Sequence, residues 1–373
     1  MDKLFSLLKF VLGNGNVDEL PSAVEEWKEL YSEARKQSLI GICFSGIDRL
    51  PESLLPPAPV VLKWIGQTEY IKSRNSSLNQ QCVELQKILS DAGFNSCILK
   101  GQGVGSLYKP DESLDLSEYR MPGDIDIWVV PKNGKAGDWE PVMDYVNSIS
   151  PNREFDGKHT HLNIFQDTTV EVHWWPSVTS DFFVSRRLKN FYREQASVQC
   201  RHEVQLSDGN TIIAADPFFD SIHVLWHIYA HFLYEGVGLR QVMDYYFVVI
   251  QEDVQRRRER VVSTYKELGL YDFSRAVMWV MHETFGLDSR YFLTEPDERR
   301  GMELLNEIMS GGNFGSSLQE NRVANESFSH RMIRRAKRKL RLVKYNPVGV
   351  LCSPFYKANI LIWKSKVIKY YNL

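Results

Sequence analysis

Apolar positions recur at helical spacing through the first ninety or so residues. Leu4, Leu7 and Leu8 fall on one side of a short N-terminal stretch, which predicts an amphipathic first helix. Trp27, Leu30, Tyr31, Ala34 and Leu39 repeat the pattern after Pro21, which sits where a helix would start. The proline-rich stretch 51–59 reads as a linker. Residues 60–92 then predict a long helix, interrupted near 73–77 where polar residues gather. At Gly93 the period changes. Residues 96–99 are a short apolar run after a Gly-Phe-Asn turn, and residues 125–130 are a second run, stopped by Pro131; both predict buried strands. Residues 159–165 and 168–175 predict a hairpin turning at Gln166-Asp167, and residues 200–206 and 211–214 another turning at Asp208-Gly209. After Pro217 the spacing is helical to the end, and no internal repeat interrupts it.

The chain has 373 residues, of which 43% are hydrophobic and 25% charged, so it can bury a core and is not a disordered polymer. Nowhere do about 18 apolar residues run uninterrupted, which argues against a transmembrane helix. The N-terminal stretch is too short and too charged for a signal peptide. Five scattered cysteines without a CxxC pair argue against a disulfide framework or a structural zinc site, and suit a reduced cytoplasm. Charge changes the picture more. Residues 331–373 carry 12 Lys and Arg and no Asp or Glu, and the net charge of −2 therefore leaves −14 on the residues before them. A basic helical tail on an acidic body suggests an anionic partner: nucleic acid, a membrane surface, or the body itself.

The sharpest chemical pattern is Gly123-Asp124-Ile125-Asp126-Ile127. On a strand, residues two apart share a face, so Asp124 and Asp126 would project together while Ile125, Ile127 and Val129 enter the core. Paired carboxylates resist joint ionisation unless a cation lies between them, and Mg²⁺ suits carboxylates and phosphates together. Two exposed carboxylates at a strand end are the competing reading. Upstream, Lys100-Gly101-Gln102-Gly103 forms a glycine-rich turn after a strand; it is neither a Walker A loop nor a dinucleotide fingerprint, and a plain flexible turn fits it equally. Downstream, Glu171 lies between valines with His173 on its face, where an unpartnered carboxylate is costly to bury; a solvent-facing edge position is the alternative.

Together, Leu99-Lys100-Gly101, Tyr108, Arg120-Met121-Pro122-Gly123-Asp124-Ile125-Asp126 and Glu171-Val172-His173-Trp174 resemble the uncharacterised bacterial nucleotidyltransferase family of the DNA-polymerase-beta-like superfamily. The resemblance spans about residues 20–255, and His227 to His231, Gly238-Leu239-Arg240 and Asp244 are similar to its downstream segment. It implies an α+β protein, with a polymerase-beta-like mixed sheet between helical N-terminal and C-terminal regions. It also implies Asp124, Asp126 and Glu171 as catalytic metal ligands for Mg²⁺, with Mn²⁺ as a substitute. Lys100, Gly101, Gly103, Arg120 and Gly123 would bind the nucleotide, ATP or another NTP, with Gly101 and Gly103 packing its phosphates against a helix N-terminus. The third carboxylate is Glu where Asp is common in the superfamily, which lengthens its arm by one methylene.

Several weaker signals remain. His227 and His231 share a helix face, and His159 and His161 a strand face; with His173, Arg240 and Asp244 they are candidate substrate contacts, each with ordinary packing as the alternative. The Arg256–Arg260 cluster reads as a solvated helix face. The expected division is a helical region 1–92, a nucleotidyltransferase core 93–215, a helical domain 216–330 and a basic tail 331–373. The expected activity is Mg²⁺-dependent transfer of a nucleoside monophosphate from an NTP to a small molecule, sugar, protein or RNA. A catalytically idle binding or scaffold module and a kinase-like phosphoryl transferase are the alternatives.

Overall fold

The computed structural model describes residues 2–16, 20, 21, 23–152, 154–311 and 343–373. The N-terminal helices form where the apolar spacing demands them. In α1 (Asp2–Val11), Leu4, Leu7, Leu8 and Val11 are all buried. In α2 (Val24–Lys36) the buried stripe is Trp27, Leu30, Tyr31 and Ala34, and every residue of α3 (Ile40–Ile47) is buried. Gly41 of α3 lies so close to the turn Ser117–Tyr119 that a Cβ there would stand 2.3 Å from the Tyr119 carbonyl oxygen.

Helix α4 (Ala58–Asp91) runs 34 residues without the break expected near 73–77. The polar residues there make contacts rather than end the helix. Asn75 is buried, and its side-chain amide donates at 2.8 Å to the backbone oxygens of both Glu118 and Arg120. Its helical periodicity therefore survives in Trp64, Ile71, Leu78, Cys82, Leu85 and Leu89, all buried.

The sheet is small. Strands β1 (Phe94–Ile98), β2 (Ile125–Pro131), β3 (His159–His161) and β4 (Val170–His173) stand in the order β1-β2-β4-β3. Only the β2–β4 pair is parallel. The first expected hairpin is present with strands shorter than its apolar runs, because the residues around Gln166-Asp167 leave the ladder. Asp167 instead forms an ion pair with Arg74 of α4. Between β1 and β2 lie a short helical turn, α5 (Gln102–Gly105), and the turn Ser117–Tyr119; α6 (Trp139–Ile149) follows β2. The hairpin of β5 (Glu203–Gln205) and β6 (Thr211–Ile213) joins the edge of β1 through a bridge between Ala214 and Ile98.

One face of β2 is sealed by aromatic rings. Trp128 packs against Tyr192 of α7 (Phe182–Gln199) and stacks on Phe219 of α8 (Pro217–Tyr234), with centroids 6.0 and 5.9 Å away. Asp126, two residues earlier, shares that face and occupies its open end. Helix α9 (Leu239–Val249) is buried along its whole length; α10 (Glu252–Arg256), α11 (Arg258–Leu268), α12 (Tyr271–Phe285) and α13 (Glu298–Gly311) complete the C-terminal side. The cluster Arg256–Arg260 spans the α10–α11 junction, where Arg257 and Arg260 lie over the Phe218 ring. Buried apolar side chains from Leu4 to Val367 form one continuous core.

Much of the expected basic tail, residues 331–342, lies outside the described residues. The last described helix, Pro347–Tyr371, sets Trp363 against Trp139, Phe155 and Trp174, and its Lys364 donates to the Phe155 carbonyl at 3.0 Å. No described helix is long and apolar enough to cross a membrane.

Two glycine-to-alanine substitutions in this helical layer should have opposite signs. Gly41→Ala forces α3 away from the Tyr119 turn and should cost about 1–3 kcal/mol, as overpacking does. Gly66→Ala, in α4 where an added Cβ meets nothing within 4 Å, should stabilise by about 0.5–1 kcal/mol. Urea denaturation of the two variants checks both.

Candidate functional site

Parallel pairing of β2 with β4 sets Asp126 directly beside Glu171. Asp124 stands just before β2, and all three carboxylates line one cleft of about 610 Å³. The chain reaches this cleft from β1 through Lys100 and Gly101. Gly101 adopts φ +60°, a left-handed conformation that side chains other than glycine rarely take, and its backbone passes close by Asp124. The Lys100 ammonium lies 2.9 Å from Asp126 Oδ1. His173, almost wholly buried, brings Nε2 to 3.2 Å from both Asp126 Oδ1 and Glu171 Oε2.

These neighbours divide the carboxylates electrically. Burial and the charges of Asp126 and Glu171 push the Asp124 carboxyl above its ordinary range. Burial also acts to raise Asp126, but Lys100 and the His173 hydrogen bond outweigh it and hold Asp126 well below that range. Glu171 follows the same logic: burial raises it, the hydrogen bond with His173 lowers it, and the balance is about 2. His159 is pushed down to about 4 by burial and by the His173 and Lys158 charges. Three convergent oxygen donors, one of them with its ionisation opposed by its neighbours' charge, suit a hard divalent cation such as Mg²⁺. Asp124, Asp126 and Glu171 are the residues that could hold it.

The opposite wall comes from α8 and α9. His227, His231, Arg240, Gln241 and Asp244 line it. His231 Nδ1 lies 2.9 Å from Glu235, and burial, followed by the Lys100 charge, lowers His227 well below its usual value. Arg240 donates to the Met121 carbonyl at 3.2 Å, beside the Pro122-Gly123 turn that leads into β2. The wall is pinned to the sheet by a buried ion pair. Arg120 Nε and Nη2 donate to the two oxygens of Asp244 at 2.7 and 2.9 Å, and the Tyr108 hydroxyl donates to Asp244 at 2.6 Å. Burial acts to raise Asp244, and Arg120 overcomes it to leave the carboxylate below its ordinary range.

The structure thus gathers Lys100, Gly101, Arg120, Gly123, Asp124, Asp126, His159, Glu171, His227, His231, Arg240 and Asp244 around one cleft. Arg120 and Asp244 line it but are bonded to each other, so Arg120 has its fork engaged by protein. Gly103 does not line the cleft. It is buried, and a Cβ there would meet the Ala214 Cβ at 3.0 Å and the Ile98 oxygen at 3.4 Å; its smallness serves packing. Helix α5, at four residues, also offers a shorter N-terminus to phosphate than the glycine turn suggests. His161 and His173 stand around Glu171 on the sheet side. Lys158 is a cleft residue that sequence reasoning missed. Its backbone oxygen accepts from both Trp174 and Trp175, so it is held against the end of β4; its place just before the His159-Thr160-His161 pattern was the available signal.

A family model described as an uncharacterised nucleotidyltransferase matches residues 23–286, and the chain belongs to this family. No curated protein and no solved structure matches it. The family match covers both walls of the cleft.

Two predictions follow from the charges. Asp244→Ala leaves Arg120 buried without its carboxylate and should cost about 3–5 kcal/mol in urea denaturation. Neighbouring carboxylates should respond with opposite signs when divalent ions are chelated. Asp124 has a raised folded-state pKa, so its ionisation opposes folding; Asp124→Asn should raise the thermal midpoint at pH 7, and the gain should vanish below the usual carboxylate pKa of about 4. Glu171 has a lowered one, so its charge supports folding above the reference value of 4.5 and that support is lost as pH falls toward 2. Glu171→Gln should therefore lower the midpoint at pH 7.

Proposed function

We propose that this member of the nucleotidyltransferase family transfers a nucleoside monophosphate from an NTP to an acceptor, with release of pyrophosphate, on a polymerase-beta-like core at residues 93–215 that uses Mg²⁺. The observation that carries this reading is the register of Asp126 beside Glu171 with Asp124 on the same wall, in one cleft with the cationic side chains Lys100, Lys158 and Arg240. A volume of about 610 Å³ is in the range of small-molecule sites.

When bound, Mg²⁺ would supply charge neutralisation for the triphosphate, and Mn²⁺ could substitute. Asp124 and Asp126 would hold it on the triphosphate, and Glu171 would complete a second metal site on the acceptor side. The chain's own contributions are more specific. Lys100, now paired with Asp126, is placed to exchange that carboxylate for phosphate oxygen, as Arg240 and Lys158 are from the other sides. Gly101 and Gly123 keep the backbone bare where the donor would approach. Glu171, kept ionised by His173, accepts a hydrogen bond from the acceptor hydroxyl and orients its oxygen. That oxygen bonds to the α-phosphorus as the bond to the pyrophosphate oxygen breaks, and the hydroxyl proton leaves toward Glu171 and solvent. His227 and His231 would border the substrate from α8. The acceptor class spans small molecules, sugars, proteins and RNA ends, and pyrophosphate as the released product separates this reaction from transfer of a terminal phosphate.

The test is a thermal-shift panel of ATP, GTP, CTP and UTP, each with and without Mg²⁺, on the natural sequence and on Asp126→Asn. A nucleotide at a hundredfold excess over its dissociation constant should stabilise by about 2.7 kcal/mol. A Mg²⁺-dependent shift for at least one nucleotide, lost in Asp126→Asn, is expected. An identical shift in the variant, or none with any nucleotide, would sink the reading.

A further inference from the structure

Three imidazoles surround Glu171. Antiparallel pairing of β3 with β4 sets His159 opposite His173 and His161 opposite Glu171. His173 Nε2 is 3.2 Å from Glu171 Oε2, His159 Nδ1 is 3.8 Å from the same oxygen, and His161 Nε2 is 4.0 Å from Oε1. One ligand atom each from His159, Glu171 and His173 falls within 4.8 Å of the others. We propose that His159, Glu171 and His173 form a binding site for a divalent first-row transition ion of the Mn²⁺, Fe²⁺, Co²⁺ or Zn²⁺ class.

The donor chemistry separates this site from the carboxylate pair beside it. Mg²⁺ takes oxygen ligands and keeps most of its water, whereas imidazole nitrogen suits the transition ions. Two histidines and one carboxylate with open positions match a facial three-ligand set that leaves room for a substrate oxygen. The supporting groups fit as well. His159 Nδ1 is buried yet makes no hydrogen bond among the described residues, although Asp156 Oδ1 is 3.4 Å away. His161 Nδ1 is held at 2.9 Å by Glu154, and its Nε2 lies 4.0 Å from Glu171 Oε1, so His161 flanks the carboxylate without joining the ligand set. The Asp156 side chain also accepts from the backbone amides of Lys158 and His159, so the entry to β3 is fixed. His173 Nε2 also reaches Asp126 Oδ1 at 3.2 Å, so the two cation positions adjoin, and binding the ion would replace the hydrogen bonds that this nitrogen makes to the two carboxylates. The inference deepens the proposed function by naming the ion class beside Glu171, yet it stands on histidines that a Mg²⁺ pair would not use.

The experiment uses the full chain stripped of metal and loaded with Mn²⁺, read by pulsed electron paramagnetic resonance for ¹⁴N couplings from coordinated imidazole. Nitrogen couplings are expected in the natural sequence. His159→Gln should reduce them and weaken Mn²⁺ binding at least tenfold by calorimetry. His173 is so buried that its variants can unfold, so His159→Gln carries the test, with circular dichroism confirming that the variant is folded. Mn²⁺ bound without nitrogen couplings, or with equal affinity in His159→Gln, would overturn the proposal. Asp124→Asn separates it from the broader reading. Loss of the Mg²⁺-dependent nucleotide shift with nitrogen couplings intact supports both. Nitrogen couplings in a protein that shifts with no nucleotide would keep the ion site and discard the transferase.

Discussion

Carboxylates placed side by side on neighbouring parallel strands, with a third just before one of them, repel one another along a half-buried wall. The repulsion grows as water is excluded, because the effective dielectric falls. The fold answers it locally with Lys100 from the end of β1 and His173 from β4, both bonded to Asp126. Much of the remaining architecture keeps those partners in place. The antiparallel β1–β2 ladder delivers Lys100, the left-handed Gly101 turns the chain there, and the alternation along β4 sets His173 on the same face as Glu171. Asp124 alone is left with its charge unmatched, and that makes the wall receptive to a cation.

A second electrostatic element has a different purpose. Arg120 and Asp244 join the segment before β2 to α9, and Tyr108 completes the network from the loop after β1. Such a pair adds little net stability over apolar packing of the same volume, while losing one member is costly. Its value here lies in fixing the separation between the two walls of the cleft. The fold therefore holds one set of charges satisfied within the protein and another partly unsatisfied toward the cleft, a few residues apart in sequence.

The Asp124-Asp126 pair was legible because its meaning depends only on strand alternation, which two residues reveal. Glu171 was legible for the same reason: a carboxylate between valines is conspicuous. Arg120 was not, since its role is set by Asp244, 124 residues away, and no local period encodes that distance. Gly103 resembled a phosphate turn because a glycine needed for packing against Ala214 is the same residue as one needed for a ligand. The polar run near 73–77 suggested a helix break, yet Asn75 is polar because it binds backbone across a layer. Element types followed from periodicity. The contacts that assign roles to polar residues came from tertiary pairing.

Asn75 bears on how this protein can be rearranged in evolution. The two carbonyls it satisfies belong to Glu118 and Arg120, at the threshold of the carboxylate strand, while Gln102 of the glycine turn donates to Asn79 one helical turn further along α4. The helix that precedes the chemistry in sequence is thus part of its foundation. A gene fusion or domain shuffle that moved the sheet without α4 would strip buried carbonyls of their donors. The heritable unit is larger than the set of residues facing the cleft, and its upstream border lies at the linker before α4 or earlier.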